Sequence, residues 1–234
     1  MTLATNPFAT RYVRPGALAY RFGVDRPDRD CLRELANRLR DRGGGSILGP
    51  HGTGKSTLLH NLHEHYEQRG AVVLHFRLTG GNTKHRWRQQ AGLWKDLTQS
   101  YRVHRDLPSQ RLSFQLVVMI DGAEQLSPVG WYAIRQRCRY AGSPLIATAH
   151  RRLAGLICQH RTEVNPSVLQ EVANCLLQQG TVWNASARHK WITRWDWQSV
   201  SNARDQWSVM YDAIARDPTM STNLPSEHLT CQLD

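Results

Sequence analysis

Residues 49–56 read Gly49-Pro50-His51-Gly52-Thr53-Gly54-Lys55-Ser56, which fits the pattern G-x-x-x-x-G-K-[ST] at every fixed position. The three residues before this stretch, Ser46-Ile47-Leu48, have the character of a short buried strand. The residues after it predict a helix whose apolar face is formed by Leu58, Leu59, Leu62 and Tyr66. A strand, a glycine turn and a helix in this order are the context that the pattern requires, so the stretch predicts a phosphate-binding loop.

The residue types explain how such a loop holds phosphate. Gly52 and Gly54 allow a tight backbone turn, so that successive N–H groups can point at one anion. The following helix directs its positive N-terminal end at the same anion. Lys55 is expected to reach the β- and γ-phosphates of a nucleotide, and the Ser56 hydroxyl to ligate Mg²⁺. The expected phosphate-binding set comprises Gly49, Pro50, His51, Gly52, Thr53, Gly54, Lys55, Ser56 and Thr57.

A second motif is the apolar run that begins at Leu116 and ends in the acidic residue Asp121. Five consecutive hydrophobic residues predict a strand that is buried on both faces. An Asp at the carboxyl end of such a strand is the Walker B arrangement, in which the carboxylate holds Mg²⁺. Asp121 is therefore expected to share the metal ion with Ser56.

Two further strands, predicted over residues 71–78 and 144–149, complete a familiar order. The second ends near Thr148 and His150, which are both placed to sense a γ-phosphate. The order of these strands is that of the additional-strand division of P-loop NTPases, and the chain resembles the AAA+ and STAND-type ATPases of that division. The resemblance covers roughly residues 6–155. It implies ATP and Mg²⁺ as ligands and a five-stranded sheet between helices.

The residue after Asp121 departs from the commonest pattern of such ATPases. Many of them place there a catalytic Glu that polarises the attacking water, whereas this chain has Gly122. The next acid is Glu124, for which two interpretations stay open. Either Glu124 acts on the water, or it begins the helix predicted over residues 128–140. The candidate catalytic residues are Lys55, Asp121 and Glu124.

These patterns predict an α/β protein with a three-layer P-loop NTPase fold. We expect a mainly parallel, five-stranded sheet, followed by a small helical C-terminal segment. Residues 1–160 are assigned to the ATPase core with an N-terminal arm, and residues 161–216 to a segment that completes the core or forms a lid. Residues 181–183 are the predicted last strand. Residues 217–234 are polar and contain Pro, so a disordered tail is expected.

A further helix is predicted over residues 84–105, with one basic face. The pattern places Trp87, Ala91, Trp94 and Leu97 toward the core. The other face carries Lys84, Arg86, Arg88 and Lys95. A basic face interleaved with aromatic residues would contact nucleic acid, whereas a solvated basic face with the tryptophans toward the core is the commoner arrangement. Because the net charge is +11 and the residues from Asp205 onward contribute −4, the preceding chain carries +15. A polyanionic partner and an arginine-rich composition account for this excess equally well.

Cysteine usage and hydropathy indicate the compartment. Five widely spaced cysteines without a C-x-x-C motif predict reduced thiols in a cytoplasmic protein. No apolar run approaches the roughly 18 residues that a membrane span needs. The first residues lack the basic and apolar regions of a signal peptide.

Three functions agree with these features. The first is an ATPase of AAA+ or STAND type that couples Mg-ATP hydrolysis to conformational change in a protein partner or a homo-oligomer. The second is a nucleotide-gated module with little hydrolysis, which the residue at position 122 motivates. The third is a DNA-associated helper ATPase, which the charge excess motivates.

Overall fold

The computed structural model describes residues 6–23, 25–105, 116–180 and 184–216. Within them, the strands are β1 (Gly44–Leu48), β2 (Val72–Arg77), β3 (Leu116–Asp121), β4 (Leu145–Ala149) and β5 (Cys158–Arg161). The α-helices are α1 (Thr10–Val13), α2 (Asp28–Asp41), α3 (Lys55–Glu67), α4 (Thr83–Arg105), α5 (Pro128–Tyr140), α6 (Pro166–Gly180), α7 (Ala185–Thr193) and α8 (Ala203–Arg216). The strands and helices predicted around the two motifs are therefore present.

The chain divides into two compact units. The sheet unit comprises Asp30–Gly49 and Leu59–Thr162. The helical unit comprises the described parts of Met1–Arg29, Pro50–Leu58 and Glu163–Asp234. Strand β1 therefore belongs to the sheet unit, whereas most of the loop that follows β1 belongs to the helical unit.

The sheet unit contains a five-stranded sheet in the order β2-β3-β4-β1-β5. Every pair of neighbouring strands is parallel, and helices lie on both sides of the sheet. Parallel strands with helices on both faces are buried on both faces, which explains the continuous apolar run of β3. The predicted α/β fold class is confirmed.

One face of the sheet carries the main core of this unit. Side chains alternate along a strand, so Leu116, Val118 and Ile120 of β3 face the same cluster. Helices α4 and α5 cover this face with the buried residues Leu93, Leu97, Tyr101, Trp131, Ile134 and Cys138. This packing fixes the carboxyl end of β3, where Asp121 stands.

The buried face of α4 differs from the predicted one. Leu93 and Leu97 are buried, whereas Trp87 is 58% exposed and Trp94 is 42% exposed. The prediction that the two tryptophans face the core is therefore wrong. The residues 93, 97 and 101 recur every four positions and form a closer helical stripe than the tryptophans, so they face the sheet.

The fifth strand also differs from the expectation. It is β5, which pairs with β1 in parallel, whereas residues 181–183, predicted as the last strand, lie outside the described residues. The sequence of β5 is Cys-Gln-His-Arg, and its residues are only partly buried. An edge strand of four residues without apolar periodicity gives no sequence signal. The tail predicted over residues 217–234 also lies outside the described residues.

The helical unit has its own core, in which aromatic rings from distant parts of the chain meet. The ring of Phe8 stacks on Trp191 and Trp207, with ring centroids 5.9 and 5.7 Å apart. The amide of Asn6 donates to the carbonyl of Tyr211 in α8, at 2.8 Å. The crowded tryptophans therefore hold the N-terminal arm against the C-terminal helices of this unit.

The cysteines differ in one respect from the expectation of reduced thiols. Cys31, Cys138 and Cys158 are free, but Cys175 is disulfide-bonded, so the expectation is wrong for Cys175. Spacing along the chain does not determine which sulfur atoms meet in the fold. No helix in the described ranges is both long enough and apolar enough to cross a membrane.

Candidate functional site

The loop from Gly49 to Ser56 lies between β1 and α3, as predicted, and Lys55 is the first residue of α3. Gly52 has φ of +71° and Gly54 has φ of +87°. Residues with a side chain rarely adopt this left-handed region, so the two glycines are what allows the reversal. The loop therefore has the backbone conformation on which an anion-binding turn before a helix depends.

Two loop side chains are buried and bind the backbone of the loop. The hydroxyl of Thr53 donates to the carbonyl of Pro50, at 2.9 Å, and the Lys55 ammonium donates to the same carbonyl. Ser56 and Thr57 are half-buried in the first turn of α3, and His51 is exposed. Since burial penalises the charge of an ammonium group, an anion in the loop would stabilise Lys55.

Within the helical unit, the start of α8 contacts the loop. The N–H of Ala203 donates to the carbonyl of Gly52, at 3.2 Å. A Cβ atom at Gly52 would lie 1.6 Å from Oδ1 of Asn202, so only glycine leaves room for that amide. The Asn202 side chain also accepts from the N–H of Arg204, at 3.0 Å. The sequence gives no signal for these contacts, because Asn202 resembles an ordinary helix cap.

The N-terminal arm contacts the same loop through Tyr20. A Cβ atom at Gly54 would lie 3.0 Å from the Tyr20 ring. Burial raises the pKa of Tyr20 to about 12, and the carboxylates of Asp28 and Glu163 act in the same direction. Tyr20 is therefore a neutral phenol at physiological pH, and its ring forms an apolar wall beside the loop.

In the sheet unit, hydrogen bonds fix the orientation of the Asp121 carboxylate. The Thr148 hydroxyl of β4 donates to Oδ1 of Asp121, at 2.6 Å. The N–H of Gly122 donates to the same hydroxyl oxygen, at 2.9 Å. Thr148 is almost fully buried and both of its hydrogen bonds lie within the sheet unit. Thr148 thus orients Asp121, a role that the sequence did not predict for it.

We expect Thr148→Val to lower the stability of the protein while keeping the shape of the side chain. The change removes a donor to Asp121 and leaves the part-buried N–H of Gly122 without its acceptor, at a cost of about 1–3 kcal/mol. Unfolding in urea measures the cost. Thr162→Val is the matched control, because Thr162 is also buried but its hydroxyl donates to a backbone carbonyl, that of Leu48, and not to a carboxylate. Equal costs for both variants would contradict the role of Thr148.

Glu124 forms an ion pair in the same unit. Its Oε1 lies 3.3 Å from Nε2 of His150, and Nδ1 of His150 lies 3.1 Å from the carbonyl oxygen of Gly49. The two ring nitrogens of His150 thus lie between the Glu124 carboxylate and the backbone of the loop. The other oxygen, Oε2, is buried without a hydrogen-bond partner among the described residues. Glu124 is therefore oriented by His150 and keeps one acceptor atom unused.

The residue at position 122 has a structural explanation. Gly122 has φ of +80°, and a Cβ atom there would lie 2.8 Å from the carbonyl oxygen of Leu78. A Glu at this position would be strained by its own backbone and would clash with the carbonyl oxygen of Leu78, directly after β2. Among the described residues, Glu124 is therefore the first acidic residue after Asp121, at a position whose backbone accommodates a side chain.

Comparisons of sequence find no relative. No family model matches the chain, and no curated protein matches it. Comparisons of structure do find matches, with identities too low to show more than the fold.

The chain is similar to the replication initiator DnaA bound to AMPPCP and single-stranded DNA, with a TM-score of 0.52, 14% identity and coverage of 84% of this chain and 63% of that chain. It is similar to AMPPCP-bound DnaA from Aquifex aeolicus, with a TM-score of 0.54, 13% identity and coverage of 86% and 64%. For PCH-2 of C. elegans the TM-score is 0.54, the identity is 13% and the coverage is 83% and 63%. The chain thus spans less than two thirds of the length of each.

The sheet order and the loop define the class of the fold. Strand β4 lies between β1 and β3, and the glycine loop follows β1, which is the arrangement of a P-loop NTPase with an additional strand. The similar structures indicate which type of P-loop NTPase fold the chain has. The chain has the AAA+ type of P-loop NTPase fold.

Proposed function

We propose that the chain binds Mg-ATP through the loop Gly49–Ser56. The observation that carries the proposal is the left-handed glycine turn that leads into α3 and holds the buried Lys55 ammonium. Lys55 would bind the β- and γ-phosphates, and the loop amides would bind their oxygen atoms. The similarity to two AMPPCP-bound structures supports a nucleotide as the ligand.

The donors on the chain fit a magnesium ion. Mg²⁺ prefers carboxylate and hydroxyl oxygens, and few protein ligands suffice because it retains water. Ser56 and Asp121 would supply these two ligands, and Thr148 keeps the Asp121 carboxylate in one orientation. Bound Mg-ATP supplies a phosphoanhydride whose charge the metal partly neutralises. The chain itself would position the phosphates and would keep the Asp121 carboxylate in one rotamer.

We propose Glu124 as the residue that orients the attacking water. Its Oε2 atom is unused within the described chain, whereas its Oε1 atom is held by His150. General-base groups contribute about 10²–10⁴-fold to rate, so Glu124→Gln is expected to lower the hydrolysis rate at least about 100-fold. The affinity for ATP is expected to stay unchanged. A phosphate-release assay and an ATP titration measure the two quantities.

The matched control for this variant is Glu64→Gln. Glu64 also pairs with a histidine, His60, at 3.3 Å, on the exposed side of α3. Glu64→Gln is expected to hydrolyse ATP at the wild-type rate. A Glu124→Gln rate equal to that of the wild type would remove Glu124 from the mechanism.

We further propose that the loop transmits the nucleotide state to α8. The Gly52 carbonyl accepts from the first residue of α8, so a change in loop conformation acts directly on the start of that helix. Residues 161–216 would then serve as a lid. Such a movement would act on a protein partner or on another copy of the chain, as the AAA+ type of fold suggests.

A second candidate is a nucleotide-gated module with negligible turnover. The observation in its favour is the ion pair between Glu124 and His150, which engages the remaining candidate base. Phosphate release by the wild type and by Lys55→Ala separates the two candidates, because the ATPase predicts a rate that the variant loses. Equal background rates together with ATP binding to the wild type would favour the gated module.

A further inference from the structure

Helix α4 exposes a surface that nucleotide binding does not use. We call the basic face of α4 the four exposed residues Lys84, Arg88, Lys95 and Arg102. Their spacings of four, seven and seven residues keep them within about 40° of one line along the helix. From the first to the last, the face extends over about 27 Å.

The tryptophans that the sequence assigned to the core lie beside this face. Trp87 is 58% exposed and Trp94 is 42% exposed, and their spacing of seven residues places them one above the other. Leu93 and Leu97 occupy the opposite side of α4 and pack into the core. Two exposed indoles on one helix leave large apolar surfaces in contact with water, which is typical of a binding surface.

The charges near the indoles indicate the chemistry of the partner. None of the four basic side chains forms an ion pair with a residue in the described part of the chain. The exposed acid of α4, Asp96, lies about 100° around the helix from Lys95. An unneutralised row of cations is complementary to a polyanion.

We propose that the basic face of α4, together with Trp87 and Trp94, binds single-stranded DNA. The four cations would contact phosphates, and the indoles would stack on unpaired bases. A duplex offers phosphates but keeps its bases stacked inside, so a duplex would leave both indoles unused. The combination therefore favours a single strand over duplex DNA.

Fluorescence anisotropy with a labelled oligothymidylate tests the proposal on the full chain without nucleotide. Four phosphate contacts predict an affinity that falls about 50-fold between about 50 and 200 mM salt. The quadruple variant K84Q/R88Q/K95Q/R102Q is expected to lose most of this salt dependence. Trp87→Ala with Trp94→Ala is expected to weaken binding at least about tenfold at constant salt, because each indole that stacks on a base contributes to affinity.

Two control variants test whether binding of the strand depends on the basic face of α4 and its tryptophans, or only on the total charge and aromatic content of the chain. R14Q/R42Q/R139Q/R216Q removes the same charge from exposed positions elsewhere, and Y132A/Y140A removes two exposed aromatic rings of α5. Both are expected to bind the strand nearly as the wild type does. Lys55→Ala is also expected to bind normally, so this test does not depend on the ATP site.

Four results would overturn the proposal. The first is no retention of the strand by the wild type at about 50 mM salt, where four phosphate contacts should give measurable binding. The second is an equal loss in the face variants and in their controls. The third is duplex DNA or RNA of the same sequence binding more than tenfold tighter. The fourth is a change of oligomeric state in the tryptophan variant without any effect on the strand, which would assign the face to a second copy of the chain.

Discussion

Lys55→Ala is expected to remove most of the stabilisation of the protein by Mg-ATP. A ligand at 100 times its dissociation constant stabilises the folded state by about 2.7 kcal/mol. If the loss of the ammonium weakens binding about 100-fold, the same concentration stabilises the variant by only about 0.4 kcal/mol. Such a loss is expected because the Lys55 ammonium would form charge-assisted hydrogen bonds with the phosphates. Thermal unfolding with and without Mg-ATP measures the difference.

Lys190→Ala is the control for this variant. Lys190 lies exposed on α7, so its removal changes the net charge equally without touching the loop. The control is expected to gain the full stabilisation of the wild type. A Lys55→Ala protein that Mg-ATP stabilises as strongly as the wild type would contradict the assignment of the loop.

Gly122→Ala is expected to destabilise the protein by at least about 3 kcal/mol. A left-handed backbone costs a residue with a side chain about 1–2 kcal/mol, and the new Cβ atom would lie 2.8 Å from the Leu78 carbonyl oxygen. That oxygen cannot move freely, because the N–H of Leu78 donates to the carbonyl of Asp121, at 2.8 Å. The clash therefore strains the backbone at the carboxyl ends of β2 and β3, beside Asp121. Chemical denaturation measures the loss.

Gly142→Ala isolates the backbone contribution. Gly142 has φ of +65°, close to that of Gly122, but a Cβ atom there meets nothing within 4 Å. We expect this control to lose only about 1–2 kcal/mol. If the two variants lost equal stability, contact with Leu78 would not explain why glycine follows Asp121.

The sequence predicts the fold correctly where the local residue pattern agrees with the burial of the side chains. The glycine loop has a motif, β3 has a continuous apolar run, and the helix over residues 128–140 has an apolar periodicity. These features predict the position of the glycine loop, the position of Asp121 at the end of a strand and the α/β fold class. Few residue types and backbone conformations are allowed at such positions, so few alternative structures compete with the native one.

The remaining features depend on contacts between residues that are distant in sequence. The pairing of Thr148 with Asp121 requires β4 to lie beside β3, which no local pattern reveals. The contact of Ala203 with Gly52 joins positions about 150 residues apart. In α4, competition between two apolar stripes decided that Trp87 and Trp94 face outward, and periodicity alone does not settle such a competition.

Calorimetric titration of the wild-type chain with ATP in the presence of Mg²⁺ tests nucleotide binding by the loop most directly. One saturable site is expected for the wild type, with affinity that falls when Mg²⁺ is chelated, and no measurable heat is expected for Lys55→Ala under the same conditions. Absence of binding to the folded wild-type protein, or equal binding to Lys55→Ala, would contradict nucleotide binding through Gly49–Ser56.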